Sequence, residues 1–235
     1  MIQIPMHEKG PFDRNTLQKL NHGAQSKYAP QSLAQTQTAA SSMPVTRQNI
    51  PIFANPMQKG QKATIGSKDL HAIQACFGWN VKNPQCDADI SAFLLGANGK
   101  VLGDSWFVFY GQTKSPDGST ELHEESAADP KTITIRLDRL NPSVKKIVFV
   151  LTIHEAFEKN FNFGMITDAY IRILHPDSHS EAVSFQMKEC SSNVISMMIG
   201  EIYLHNDEWK FGAIGNGIAG DLAGLCAFYG VEVTD

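Results

Sequence analysis

The chain has 235 residues, of which 42% are hydrophobic, so it can form one large all-β domain or two small domains. Its net charge of -4 gives no basic surface of the kind that binds nucleic acid, and no apolar run approaches the roughly 20 residues of a transmembrane helix. The N-terminus lacks the features of a secretory signal, and the four cysteines are scattered without a CxxC pair. We therefore expect a cytoplasmic protein with reduced thiols and no nucleic-acid partner.

Residues 1–55 differ in composition from the rest of the chain. Residues 25–48 are rich in Gln, Ser, Ala and Thr and contain few large apolar side chains, so they cannot bury enough surface to offset the entropy of ordering. We predict a flexible, low-complexity N-terminal tail or docking segment over 1–55, with a helical turn near 16–20, and a folded domain over 56–235. The apolar cluster of Ile50, Ile52, Phe53 and Met57 is expected to pack on that domain or to add a strand to an exposed sheet edge, in its own or a neighbouring molecule.

From residue 57 onward, short apolar segments separated by turn residues are typical of a β-protein. The dipeptide Asn98-Gly99 predicts a hairpin, and residues 115–118 (Ser-Pro-Asp-Gly) predict a tight turn. The predicted strands cover 62–65, 72–79, 87–95, 106–110, 133–137, 146–153, 169–174, 183–187, 194–204 (broken near Gly200) and 209–214.

The stretch 86–95 combines two carboxylates with a strand that is apolar on both faces. Because side chains alternate along a strand, Asp87 and Asp89 point the same way, and the apolar run after them belongs in a sheet that is covered on both faces. Two like charges at the end of such a strand favour a hard cation with oxygen ligands, which makes calcium the first hypothesis. The alternative is a pair of solvated charges that protects a sheet edge. The spacing does not match an EF-hand, because Ala92 and Asn98 stand where that loop needs Gly and Glu.

The end of the chain changes period. One face of a helix is formed by Leu222, Leu225, Cys226 and Tyr229, and Asp221 and Gly230 are suitable caps for that helix. The preceding glycine-rich stretch, 215–220, lacks the ending of a phosphate-binding loop and is read as a flexible corner. Many short strands and one closing helix predict an all-β, two-sheet β-sandwich with a short C-terminal helix.

The motif at 103–110 (GDSWFVFY) resembles the TerD family of bacterial tellurium-resistance and stress proteins, and the resemblance covers about residues 57–232. Further motifs of the family lie before and after this one along the chain, in the same order as in the family. They lie at 77–80, 86–95, 107–112, 115–119, 146–150, 169–172, 200–203 and 209–211.

The resemblance implies a TerD-type, calcium-binding β-sandwich without known catalytic residues. It implies metal ligands at Asp87 and Asp89 and in a later Gly-Asp-Asn loop. This chain has residues 123–130 (HEESAADP) in place of that loop, so Glu125 and Asp129 are the oxygen donors expected to substitute, and Asp104 joins them as a candidate ligand. Fewer carboxylates weaken calcium binding, so a weakened or lost site is the competing expectation.

The function implied is a calcium-binding, non-catalytic stress-response module for tellurite or chemical stress. The expected partners are other stress-response proteins of the Ter type, at a membrane-associated complex. An enzyme is not expected, because 154–158 (HEAFE) lacks the second His of a zinc protease motif and no Gly-x-Ser-x-Gly is present. The alternative is a structural or scaffold protein with a degenerate metal site that docks through its N-terminal tail.

Overall fold

Two six-stranded sheets carry the fold in the computed structural model, which describes residues 12–13, 49–124, 129–187 and 192–234. One sheet has the order β2-β11-β10-β4-β8-β7 and the other β3-β13-β12-β9-β5-β6. The strands are β1 (Phe12–Asp13), β2 (Pro56–Met57), β3 (Lys62–Ser67), β4 (Ala72–Val81), β5 (Ala88–Leu95), β6 (Phe107–Val108), β7 (Thr120–Glu124), β8 (Lys131–Arg136), β9 (Lys146–Ile153), β10 (Ile166–Leu174), β11 (Glu181–Gln186), β12 (Ser196–His205), β13 (Glu208–Ile218) and β14 (Val233–Thr234). The helical turn expected near 16–20 lies outside the described residues.

Most neighbouring strands are antiparallel, and the two parallel pairs, β1–β14 and β2–β11, involve two-residue strands. The predicted all-β, two-sheet sandwich with a C-terminal helix is confirmed. Within the described residues, no helix has both the length and the apolar character needed to cross a bilayer.

Strand β5 is buried on both faces, as its sequence predicts. Ile90 and Leu94 lie in the hydrophobic cluster between the two sheets. Phe93, on the opposite face, packs in a second cluster under helix α2 (Leu222–Tyr229). Its ring centroid lies 4.5 Å from that of Tyr229. The helix therefore covers the outer face of the second sheet at β5.

The predicted caps hold that helix at both ends. The Asp221 side chain accepts a hydrogen bond from the Gly224 amide at 2.9 Å. Gly230 ends the helix in the left-handed conformation at φ 79°, which glycine adopts without steric cost. The second helix, α1 (Ala156–Lys159), is a single turn that the sequence analysis does not anticipate.

The strand predicted over 106–110 is wrong in its bounds. A short 3-10 helix (Asp104–Trp106) precedes β6, which has only two residues. The side chain of Gln112 donates a hydrogen bond to the Phe107 carbonyl at 2.8 Å. Across a tight turn, the Phe109 amide donates to the Gln112 carbonyl and the Gln112 amide donates to the Phe109 carbonyl. This turn bends the chain away from β5 before a longer strand can form.

The predicted turn at 115–118 is held by one carboxylate. Asp117 accepts hydrogen bonds from the Ser115 hydroxyl at 2.6 Å, the Ser119 amide at 3.0 Å and the Asn141 amide at 2.9 Å. Burial acts to raise the pKa of Asp117, but these hydrogen bonds outweigh it and hold the pKa below its ordinary value of 3.8. Gly118 closes the turn at φ 67°.

The apolar segment before the domain packs on the first sheet. Pro56–Met57 forms edge strand β2 alongside β11, and the Asn55 amide donates to Glu181 at 2.8 Å. The Phe53 ring lies 5.3 Å from the Tyr170 ring, whereas the Ile52 side chain is 97% exposed. The segment thus adds a strand to a sheet edge of its own molecule.

Candidate functional site

The two aspartates Asp87 and Asp89 lie at the start of β5, at one end of the sandwich. Asp87 precedes β5 and is exposed, and its carbonyl accepts a hydrogen bond from the His154 amide at 2.9 Å. Asp89 is the second residue of β5, and 27% of its side chain is exposed. Strand β6 pairs with β5 only at Ala92 and Phe93, so the edge of β5 at Asp89 is not covered by β6.

Asp89 forms an ion pair that connects the two sheets. Its Oδ1 atom lies 3.1 Å from Nζ of Lys131 on β8, and it also accepts a hydrogen bond from the Ile90 amide at 2.8 Å. The same Lys131 ammonium lies 2.8 Å from Oε1 of Glu124 on β7. One positive charge is therefore shared by two carboxylates, one from each sheet.

The electrostatics of this end reflect partial burial. Burial raises the pKa of Asp89, and the charge of Lys131 opposes that rise. For Lys131, burial acts to lower the pKa, but the charge of Asp89 and the hydrogen bond to Glu124 outweigh it and hold the pKa above its usual range. Burial also raises the pKa of Tyr110, with further contributions from Asp89 and Asp87, so the phenol shares this environment.

Asp129 has a separate role in the first sheet. Its side chain is almost fully buried, and its Oδ1 atom accepts hydrogen bonds from the Tyr170 hydroxyl at 2.8 Å and from Arg172 Nε at 3.0 Å. Its Oδ2 atom lies 2.6 Å from a terminal guanidinium nitrogen of Arg172. Such a bidentate pair is geometrically specific and occupies both carboxylate oxygens.

Of the two remaining candidate ligands, only Asp104 lies in the part of the chain that the structure describes, and its described contact is elsewhere. Asp104 starts the 3-10 helix, and its Oδ1 atom accepts a hydrogen bond from the Glu232 amide at 2.9 Å, which connects it to the C-terminal segment. Glu125 lies outside the described residues.

Comparison with known proteins identifies the family. The TerD domain profile matches residues 53–229. The chain belongs to the TerD family. The tellurium resistance protein TerD of Serratia marcescens is 41% identical over 165 residues, which are 67% of this chain and 86% of that protein. General stress protein 16U of Bacillus subtilis (strain 168) is 32% identical over 188 residues, or 75% of this chain and 97% of that protein. These relatives place the chain among tellurium-resistance and stress-response proteins.

A solved structure supports the TerD fold. The crystal structure of a homologue of the telluride resistance protein TerD from Streptomyces coelicolor A3(2) aligns with a TM-score of 0.50 at 18% identity. The alignment covers 67% of this chain and 95% of that chain. The family resemblance read from the sequence motifs is therefore confirmed by the domain profile and the curated relatives, while the solved structure confirms the fold.

The described residues of this TerD-family chain do not fit a calcium ion as they are arranged. Calcium needs about six to eight oxygen ligands, several of them carboxylates. Across the described ranges, no three His, Cys, Asp or Glu side chains come close enough together to hold a metal ion. Asp89 and Glu124 instead share the Lys131 ammonium, and Asp129 is paired with Arg172. Calcium binding stays a prediction.

Lys131 is the main site residue that sequence reasoning missed. The sequence motifs point to oxygen donors for a metal and not to a cation supplied by the chain itself. A signal was present, because Lys131 lies on the same face of β8 as Ile133 and Ile135, which are both fully buried. Its side chain therefore starts on the face of β8 that points between the sheets.

Proposed function

We propose that this chain is a non-catalytic stress-response module that protects against tellurite or related chemical stress by binding partner proteins. The family membership supports the stress-response class. The observation that supports the non-catalytic part is that these charges are paired within the fold: Asp89 and Glu124 share the ammonium of Lys131, and Asp129 is paired with Arg172. These arrangements stabilise the sandwich, and such ion pairs perturb titratable groups without chemistry.

The described thiols also support a non-catalytic protein. Cys76, Cys86 and Cys226 are buried. Burial is the largest cause that raises the pKa of Cys76 and Cys226 to about 12 and that of Cys86 to about 11. Because the thiolate is the nucleophile, these groups are poor candidates for attack on a substrate at neutral pH.

Two forms of the proposal differ at the end of the sandwich that carries Asp87, Asp89 and Glu124, here called the acidic end. In the first, Asp87 and Asp89 hold calcium together with oxygens from residues 124–129, and the ion pair with Lys131 must open. In the second, the metal site is degenerate and partners dock on the N-terminal segment. The short Lys131 contacts to both sheets favour the second form.

Growth of a bacterial strain deleted for its own TerD-family proteins tests the function. Cells that express the full chain should tolerate a several-fold higher concentration of tellurite or peroxide before growth stops than cells that carry the empty vector. Equal sensitivity in cells that contain folded protein would contradict the stress-response role. Consumption of many equivalents of tellurite per purified chain would contradict the non-catalytic part.

Deletion of residues 1–45 tests docking through the N-terminal tail, which lies largely outside the described residues. The melting temperature should stay within experimental error of the full chain, because composition predicts no hydrophobic core there. Protection in the growth assay and self-association should both fall. Full protection by a stably folded truncated chain would contradict docking through the tail.

A further inference from the structure

The ammonium of Lys131 occupies the position that a shared cation would need at the acidic end of the sandwich. Its Nζ atom lies 3.1 Å from Asp89 on one sheet and 2.8 Å from Glu124 on the other. Only 18% of the Lys131 side chain is exposed, so this charge is substantially withdrawn from solvent. The geometry is that of one cation between two carboxylates, with nitrogen in place of a metal.

The fold fixes Lys131 at this position. Lys131 is the first residue of β8 and stands directly opposite Glu124 in the β7–β8 ladder and opposite Phe77 in the β4–β8 ladder. Its backbone is thus held from both sides, and its side chain starts beside the buried face of Ile133. A cation attached to the sheet needs no binding from solution, and its effective concentration at the site is set by the fold.

A calcium ion and this ammonium cannot both use the same oxygens. Calcium binds oxygens at about 2.3–2.6 Å, which is inside the space that the ammonium occupies between the two carboxylates. Two positive charges a few ångströms apart in a partly buried site repel each other strongly. Lys131 would have to leave, and its own ion pairs with Asp89 and Glu124 would then be lost.

We infer that Lys131 is a built-in cation that takes the place of a metal ion at the acidic end and joins the two sheets there without calcium. The inference concerns the sandwich alone and does not depend on the stress-resistance function. It predicts that calcium does not stabilise the wild-type chain, and that removal of the ammonium exposes carboxylates able to bind calcium.

Thermal unfolding of the full chain, in chelator and in millimolar calcium chloride, tests this inference. Lys131→Met removes the ammonium and keeps most of the apolar stem. Lys114→Met is the matched control, because Lys114 forms an exposed ion pair with Glu121 at 3.0 Å, and its loss changes the net charge equally. Wild type and Lys114→Met should melt at the same temperature with and without calcium.

Lys131→Met should melt several degrees below wild type in chelator, and calcium should raise its melting temperature by several degrees. Adding Asp89→Ala to Lys131→Met should remove the calcium response, which locates the ion. A calcium shift in wild type as large as that of Lys131→Met would overturn the inference, as would a Lys131→Met protein that ignores calcium. If Lys131→Met is recovered unfolded, Lys131→Gln serves as the second variant with the same expected results.

Discussion

Asp129 is predicted to stabilise the fold through Arg172, although its sequence position suggested a metal ligand. The perturbation that tests this is Asp129→Ala. Only 2% of Asp129 is exposed, and its carboxylate receives both the guanidinium of Arg172 and the hydroxyl of Tyr170. The substitution leaves a guanidinium whose side chain is 15% exposed without its carboxylate partner.

The expected cost follows from that burial. Breaking a buried ion pair by removal of one partner costs about 3–5 kcal/mol, a large part of the roughly 5–15 kcal/mol by which domains are stable. Tyr170→Phe keeps the ion pair and loses one hydrogen bond to a charged group, so about 1.5–3 kcal/mol is expected. Glu121→Ala breaks an exposed pair with Lys114 and should cost about 0–1 kcal/mol.

Urea unfolding followed by far-UV circular dichroism measures these free energies of unfolding. The double variant Asp129→Ala/Arg172→Met should lose less stability than the sum of its single variants, because neither charge is left unpaired. An Asp129→Ala protein no less stable than Glu121→Ala would refute the structural role. A calcium response present in wild type and lost in Asp129→Ala would point to a metal ligand instead.

Three further substitutions, one of them a control, test the packing and the turn. Gly200→Ala would place a Cβ atom 2.6 Å from the fully buried Phe211 ring, so a loss of about 1–3 kcal/mol is expected in urea unfolding. Gly220→Ala, whose Cβ would meet nothing closer than 3.6 Å, should stay within about 1 kcal/mol of wild type, and equal losses in both would contradict the steric argument. Asp117→Asn should cost about 1–3 kcal/mol at neutral pH, because amide and hydroxyl donors lose a charged acceptor. Since folding lowers the Asp117 pKa, the stabilisation from this carboxylate is present above pH 3.8 and is lost as the pH falls through the folded-state pKa. The difference in free energy of unfolding between wild type and Asp117→Asn should therefore shrink in acid. A difference that does not change with pH would contradict the role of the ionised carboxylate as acceptor.

The sequence predicts the elements whose local pattern is strong. Strand β9 (Lys146–Ile153) is a continuous apolar run, and its observed bounds are the predicted ones. Helix α2 follows from the 3.6-residue period and from the caps Asp221 and Gly230. The expected break at Gly200 is present as a register shift between Met198 and Gly200, while β12 continues through it. These features depend on neighbours in the sequence, which is why they can be read there.

The acidic end could be predicted only in part. Asp89 lies at the expected end of β5, two residues after Asp87, but the cation that pairs with Asp89 comes from β8, where Lys131 stands opposite Glu124. Strand β7 was not predicted, because it is a short polar edge strand in which only Thr120 and Leu122 are buried, so no apolar run follows the turn predicted at 115–118. Without that strand, no local pattern indicates that Lys131 lies between Glu124 of its own sheet and Asp89 of the other sheet.

Calorimetric titration of the wild-type chain with calcium at neutral pH, after removal of bound metal by a chelator, tests the central claim most directly. If Lys131 takes the place of the metal, the titration should give only the heat of dilution up to millimolar calcium. Saturable binding of one calcium ion per chain that disappears in Asp89→Ala would contradict the account. It would show that calcium binds in wild type at the carboxylate that is paired with Lys131.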